Sequence, residues 1–196
     1  MATGELIKQS SHDNSKTSLG FWIYLMTDCI LFACLFATYA VLRNSTANGP
    51  DGKEIFDLRF SFIETMILLT SSFATGLAIL STSSRLKKHL FVWLGVTFLL
   101  GISFLTMEIN EFAHLANQGF GWQKSAFLSS YYALVGTHGL HITAGLIWLV
   151  FLMFQIYSQG LNRLTIRRLA LFGLFWHFLD IIWIFIFTLV YLRGVI

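Results

Sequence analysis

The sequence predicts an all-α integral membrane protein of five transmembrane helices, and three observations predict it. Apolar residues fill 56% of the 196 positions and charged residues only 12%, which leaves too little polar surface to keep a soluble domain of this size dispersed. The mean hydropathy of +0.68 points the same way. The one proline, Pro50, leaves long apolar runs unbroken, and about 20 such residues suffice for a helix to cross roughly 30 Å of hydrocarbon. Barrel strands would alternate over about ten residues each, a pattern absent here.

The runs follow in order. Residues 1–19 are polar and lack the apolar core and cleavage site of a signal peptide, so they are expected to form a flexible tail. The first span, residues 20–42, reads "GFWIYLMTDCILFACLFATYAVL" and carries one charge, Asp28. The second, 60–82, carries only Glu64 among apolar and small hydroxylated residues. The third, 90–107, is uncharged until Glu108, just past its end. The fourth, 130–154, holds His138 and His141, and the fifth, 171–192, holds His177 and Asp180. No repeat or linker interrupts 20–196, which is therefore read as one five-helix unit.

Charge sets the expected orientation. Lys8 and Lys16 of the tail, Arg85, Lys87 and Lys88 of the second connection and Arg163, Arg167 and Arg168 of the fourth lie on one side. They outweigh Arg43, Lys53, Arg59, Lys124 and Arg193 on the other, where Asp51, Glu54 and Asp57 offset the bases. The positive-inside rule then puts the N-terminus in the cytoplasm and the C-terminus in the periplasm. The net charge of +3 reflects this topology, so no nucleic-acid partner is implied. Cys29 and Cys34 lie about 140° apart on one helix, which fits neither a bridge nor a zinc site, and they read as small apolar fillers.

Ionisable groups within a span must face protein, water or headgroups. Asp28 shares a helical face with Phe21, Tyr24, Phe32, Leu35 and Tyr39, which allows either a buried hydrogen-bonded acid or a site of proton movement. Glu64 heads the stripe Glu64, Leu68, Ser71, Thr75, the composition of a close helix seam, and is placed to reach the interface. On the fourth helix Gly136, Gly139 and Thr143 fall opposite His138, His141, Gly145 and Trp148, as expected of a helix with two neighbours. On the fifth, Trp176, His177, Asp180, Ile184, Phe187 and Tyr191 form one stripe, in which His177 and Asp180 are spaced to pair directly.

"MEINEFAHL" sets Glu108, Glu111 and His114 on one face and contains Glu-x-x-His, a pattern that helical bundles use to hold two iron ions. With the later histidines it raises the reading of a membrane metal-dependent oxygenase. Against this, no second Glu-x-x-His is present, and by helical rise Glu108, His138 and Asp180 sit at different depths.

Three strings, "FWIYLMTDCILFACLFATYAVL", "GTHGLHITAGLIW" and "FWHFLDIIWIFIFTLVYL", resemble in order and spacing the signature segments of subunit III of the haem-copper terminal oxidases. The resemblance runs from about Gly20 to the C-terminus. Cytochrome c oxidases of that family generally have a seven-helix subunit III, and the quinol oxidases of the bo type a five-helix one, so the ubiquinol oxidase branch is the nearer. The intramembrane acid, Glu in many family members, is Asp28 here.

What the resemblance implies is an accessory, non-redox subunit of a proton-pumping ubiquinol oxidase in a bacterial inner membrane. Haems and copper would lie in subunit I, with no cofactor or metal in this chain. Its partners would be subunit I, the other subunits and phospholipid, ubiquinol binding the complex and not this chain. The matching residues are Asp28, Glu111, His138, His141, His177 and Asp180, with Glu64 beside them, in structural, lipid or proton-related roles and none of them catalytic. A small proton-coupled transporter using Asp28 and Asp180 stands as a further reading, although it would be expected to show internal repeats or broken helices.

Overall fold

The structure, a computed structural model, describes residues 2–43, 45, 58–83 and 87–195. Lys53, Asp51, Glu54 and Asp57 of the first connection and Arg85 of the second lie outside the described residues. The regular elements are α1 (Ala2–Leu42), α2 (Leu58–Ser83), α3 (Lys87–Asn117), α4 (Ala126–Gln159), α5 (Arg163–Ile186), a π-helical turn (Phe187–Leu192) and the short α6 (Arg193–Val195). Five stretches are long and apolar enough to cross a membrane: Lys16–Leu42, Leu58–Thr82, Lys87–Asn117, Ala126–Gln159 and Arg163–Leu192.

These helices overrun the apolar windows read from the sequence, because backbone hydrogen bonding continues into polar residues until a cap intervenes. α3 carries on through "MEINEFAHLAN" to Asn117. α4 begins where the Ser125 side chain accepts the Leu128 N–H at 3.1 Å, and ends at Gly160, whose φ of 74° suits a residue without a Cβ. At the head of α5, the Asn162 N–H donates to Thr165 Oγ1 at 2.8 Å, one half of a capping box.

The chain divides into two compact units, residues 1–34 and 35–196. The first is the helical stretch up to Cys34. In the second, α2 packs on α3, α3 on α4, α4 on α5 and α5 back on α2, which closes a four-helix bundle. The last turns of α1 join this unit through Phe36 against Phe185 and Tyr39 against Phe127, ring centroids 6.4 and 6.0 Å apart.

Lipid tails are as apolar as leucine, so what holds such a bundle is close packing and interhelical hydrogen bonds of about 0.6 to 1.7 kcal/mol each. The seam Glu64, Leu68, Ser71, Thr75 on α2 is fully enclosed. Trp176 of α5 donates its indole N–H to Ser71 Oγ at 3.1 Å, and Ser71 donates to the Thr97 carbonyl of α3 at 3.3 Å. The ring lies between two glycines: a Cβ on Gly101 would come within 3.2 Å of it, and one on Gly145 within 2.8 Å. Seven residues on, Trp183 donates to Thr65 Oγ1 of α2 at 3.1 Å, stacks on His138 of α4 at 5.2 Å and takes Phe104 of α3 edge-on at 4.7 Å.

The stripe expected on the fifth helix needs correcting. Its enclosed face is Trp176, Leu179, Trp183, Ile186, Val190 and Tyr191, while Ile184 is 42% exposed. The π-helical turn accounts for Tyr191: a wider turn accommodates one more residue, so that Tyr191 rejoins the face of Trp183.

Deleting Leu189 from that turn should restore a seven-residue step to the tyrosine and cost less than about 2 kcal/mol, whereas deleting Ile181 should rotate everything beyond it off the core face and prevent assembly. Fluorescence-detected size exclusion and thermal melts in mild detergent distinguish the two.

Candidate functional site

Three acids and two tyrosines gather at the end of the bundle where α2 and α4 begin and α3 and α5 end. Glu111 of α3 is the centre. Tyr131 of α4 donates to its Oε1 at 3.2 Å and Tyr191 donates to its Oε2 at 3.1 Å, while the two phenol oxygens lie 3.0 Å apart. Both tyrosines are fully enclosed.

Glu64, expected near the interface, is fully buried, because α2 starts at Leu58 and continues past it inside the bundle. Neither of its carboxyl oxygens has a hydrogen-bond partner among the described residues, and its charge is coupled to those of Glu111 and Glu108. Glu108 is 2% exposed and lies flat on α4, where a Cβ on Gly139 would stand 2.8 Å from its Oε1. That glycine faces α3, while Gly145 and Trp148 face α5, which gives α4 the two neighbours expected of it.

The Glu108, Glu111, His114 face does not act as one ligand set. Glu108 goes under Gly139, Glu111 takes two phenols and His114 pairs with Gln118 at 2.8 Å. Among the described residues no group of three or more His, Cys, Asp and Glu side chains is arranged to hold a metal ion. The donor set does not fit the two-iron arrangement that its spacing suggested.

The remaining residues occupy separate places. His138 is buried against Trp183 and Phe104. His141 Nδ1 lies 2.7 Å from the Thr137 carbonyl one turn earlier on α4. His177 and Asp180 do not pair with one another: Ser72 of α2 stands 2.5 Å from His177 Nδ1 and also engages the Asp180 carboxyl. Asp28, in the first unit, is one turn from Tyr24, whose hydroxyl meets its carboxyl.

Sequence reasoning missed Tyr131, Thr65, Ser72, Thr97 and Trp183 as members of these networks. A signal existed for Tyr131, which lies two turns before His138 on the same face of α4.

Tyr191→Phe should cost about 0.6 to 1.7 kcal/mol, and combined with Glu111→Leu it should cost less than the sum of the two single changes, since both remove the same contact. A double-mutant cycle on unfolding in mixed micelles measures this coupling.

A profile of the family described as cytochrome c oxidase subunit III matches residues 8–195. The chain is 57% identical to cytochrome bo(3) ubiquinol oxidase subunit 3 of Pseudomonas aeruginosa over 94% of its length and 88% of the relative's. It is 55% identical to the Pseudomonas putida protein of the same name, over 94% and 90%. Cytochrome c oxidase subunit 3 of Bacillus sp. strain PS3 is 43% identical over 96% of this chain and 91% of its own length. Chain length alone therefore does not separate the quinol and cytochrome c branches.

Proposed function

The chain belongs to the cytochrome c oxidase subunit III family, and from that premise we propose that it is an accessory, non-redox subunit of a proton-pumping ubiquinol oxidase of a bacterial inner membrane. The observation that carries the reading is 57% and 55% identity, across nearly the whole chain, to two ubiquinol oxidase subunits 3. Oxygen reduction belongs to the assembly, whose haems and copper lie in subunit I. This chain supplies rigidity and contact surface.

The geometry supports that division of labour. Glu111, His138, His141 and His177 are each engaged by a neighbouring hydroxyl, ring or carbonyl, as suits structural polar groups in a span. Glu64 and Glu111 lie with Glu108 in one acid cluster, in which Glu64 and Glu108 are buried, and this makes Glu64 and Glu111 the proton-related candidates. Asp28 and Asp180 serve as contact residues of α1 and α5.

For phospholipid, a pocket of about 550 Å³ at the opposite end of the bundle is lined by Lys87, Gln159, Asn162 and Arg163, polar and cationic groups suited to an anionic headgroup. By the positive-inside rule that end faces the cytoplasm, with the C-terminus in the periplasm.

Extraction of the C-terminally tagged chain in mild detergent should bring down larger subunits with a haem difference spectrum and ubiquinol-dependent oxygen uptake. A lone chain without haem would refute the reading. Asp28→Asn should leave the haem content unchanged and at most modestly shorten the time over which turnover is sustained. Loss of haem insertion in that variant would contradict an accessory role.

A further inference from the structure

A groove of about 460 Å³ runs along the membrane face between α2 and α5, lined by Ser72, Phe73, Gly76, Leu80, His177 and Asp180 among others. Its walls are apolar, with Phe73 and Leu80 each 67% exposed. Its floor is polar. Ser72 joins His177 and Asp180 there; His177 is half-buried, and Asp180 is 7% exposed, its Oδ1 enclosed and without a hydrogen-bond partner among the described residues.

We propose that this groove seats a transmembrane helix of a companion oxidase subunit, which brings a side-chain hydrogen-bonding group to the floor formed by Ser72, His177 and Asp180. The proposal rests on the oxidase-subunit reading above and names the face through which that subunit binds.

Depth selects the kind of donor. Asp180 lies about 26 Å along a span of about 45 Å, counted from Arg163 at the helical rise. That is close to mid-membrane, beyond the reach of phospholipid headgroups, and acyl chains carry no donor. A helix can present a hydroxyl, amide or indole N–H at that level.

Shape selects a helix over a small ring. From Leu69 to Leu80 the groove follows α2 for about 16 Å, three turns, where a quinone ring would occupy one. Ser72 and Gly76 are one turn apart, the small-x-x-x-small spacing that lets a second backbone come close. Gly76, like Gly20 and Gly95 but here inside the groove, differs in kind from Gly101, Gly139, Gly145 and Gly173. A Cβ on any of the last four would press on a side chain of this chain, whereas at Gly76 it would meet nothing within 4 Å. The chain's own packing makes no use of the missing side chain, and a close-packed companion helix would.

The test replaces Phe73 with a photoreactive benzoyl-phenylalanine in the tagged full chain, irradiates native membranes and maps the adduct in the purified complex by mass spectrometry. The expected adduct lies on an apolar helix of a companion subunit in a haem-bearing complex. Gly76→Leu, whose Cβ meets nothing within 4 Å in its own bundle, should lower the companion subunit retained in mild detergent by about tenfold, while the chain itself stays monodisperse. Asp180→Leu should do the same.

Adducts confined to phospholipid, quinone or a second copy of this chain would overturn the proposal, as would unchanged retention in both variants. Those results in a haem-bearing complex would leave the oxidase reading standing. A haem-free preparation with the adduct on an unrelated helix would overturn that reading and, with it, the partner named here.

Discussion

The indole of Trp176 touches every helix of the bundle, and the arrangement of the four follows from how it is seated. It leaves α5, passes between Gly101 of α3 and Gly145 of α4, and ends with its N–H on Ser71 of α2. In water such a ring would be held largely by the hydrophobic effect. In lipid that drive between helices is missing, so attraction depends on how closely surfaces fit and on whether the polar atoms they bring are matched. Two glycines provide the closeness, and Ser71, which accepts from the indole and donates its own hydrogen bond to the Thr97 carbonyl, provides the match. A larger residue at either glycine would part α5 from its neighbours at the level where the indole bond must form.

The same device recurs along α5. Trp183, seven residues further, reaches Thr65 of α2, Phe104 of α3 and His138 of α4. Tyr191, eight further again, reaches Glu111 of α3 and Tyr131 of α4. Steps of seven and eight cannot both return to one face of a regular α-helix whose turn is 3.6 residues, and the eight-residue step contains the π-helical turn that takes up the difference. Irregular backbone in a membrane is tolerated where protein surrounds it, and here Val190 and Tyr191 of that turn are fully buried.

Much of this was legible in the sequence. Five helices could be counted because bilayer thickness imposes a minimum apolar length, and the seam on α2 could be seen because Ser71 and Thr75 repeat with the helical turn. The ends of the helices were not, since capping and not hydropathy decides them. Partners were the harder matter. Glu111 was visible as an acid on a shared face, but Tyr131 and Tyr191 lie 20 and 80 residues away along the chain, and nothing local announces them. His177 and Asp180 invited a local pairing that the fold does not make, because Ser72, 105 residues distant from His177, occupies the position between them. Periodicity states which residues share a face, and only the bundle states what that face meets.

The polar residues of the bundle divide by the direction they face. Trp176, Trp183, Ser71, Thr65, Thr97 and the Glu111 cluster point inward, and apart from the enclosed Glu64 and Glu108 their groups are matched by other helices of the same chain. Such groups are poorly placed to act on a substrate, which would have to break the bundle open to reach them. Ser72, His177 and Asp180 point to a groove in the opposite sense, with an acid oxygen left unmatched by the chain itself. A charged or acidic side chain at that depth costs at least a few kcal/mol on insertion scales unless something answers it. An accessory subunit suits that division: an interior held mostly by its own residues makes it rigid, and a polar groove on its outer face leaves a surface for contact.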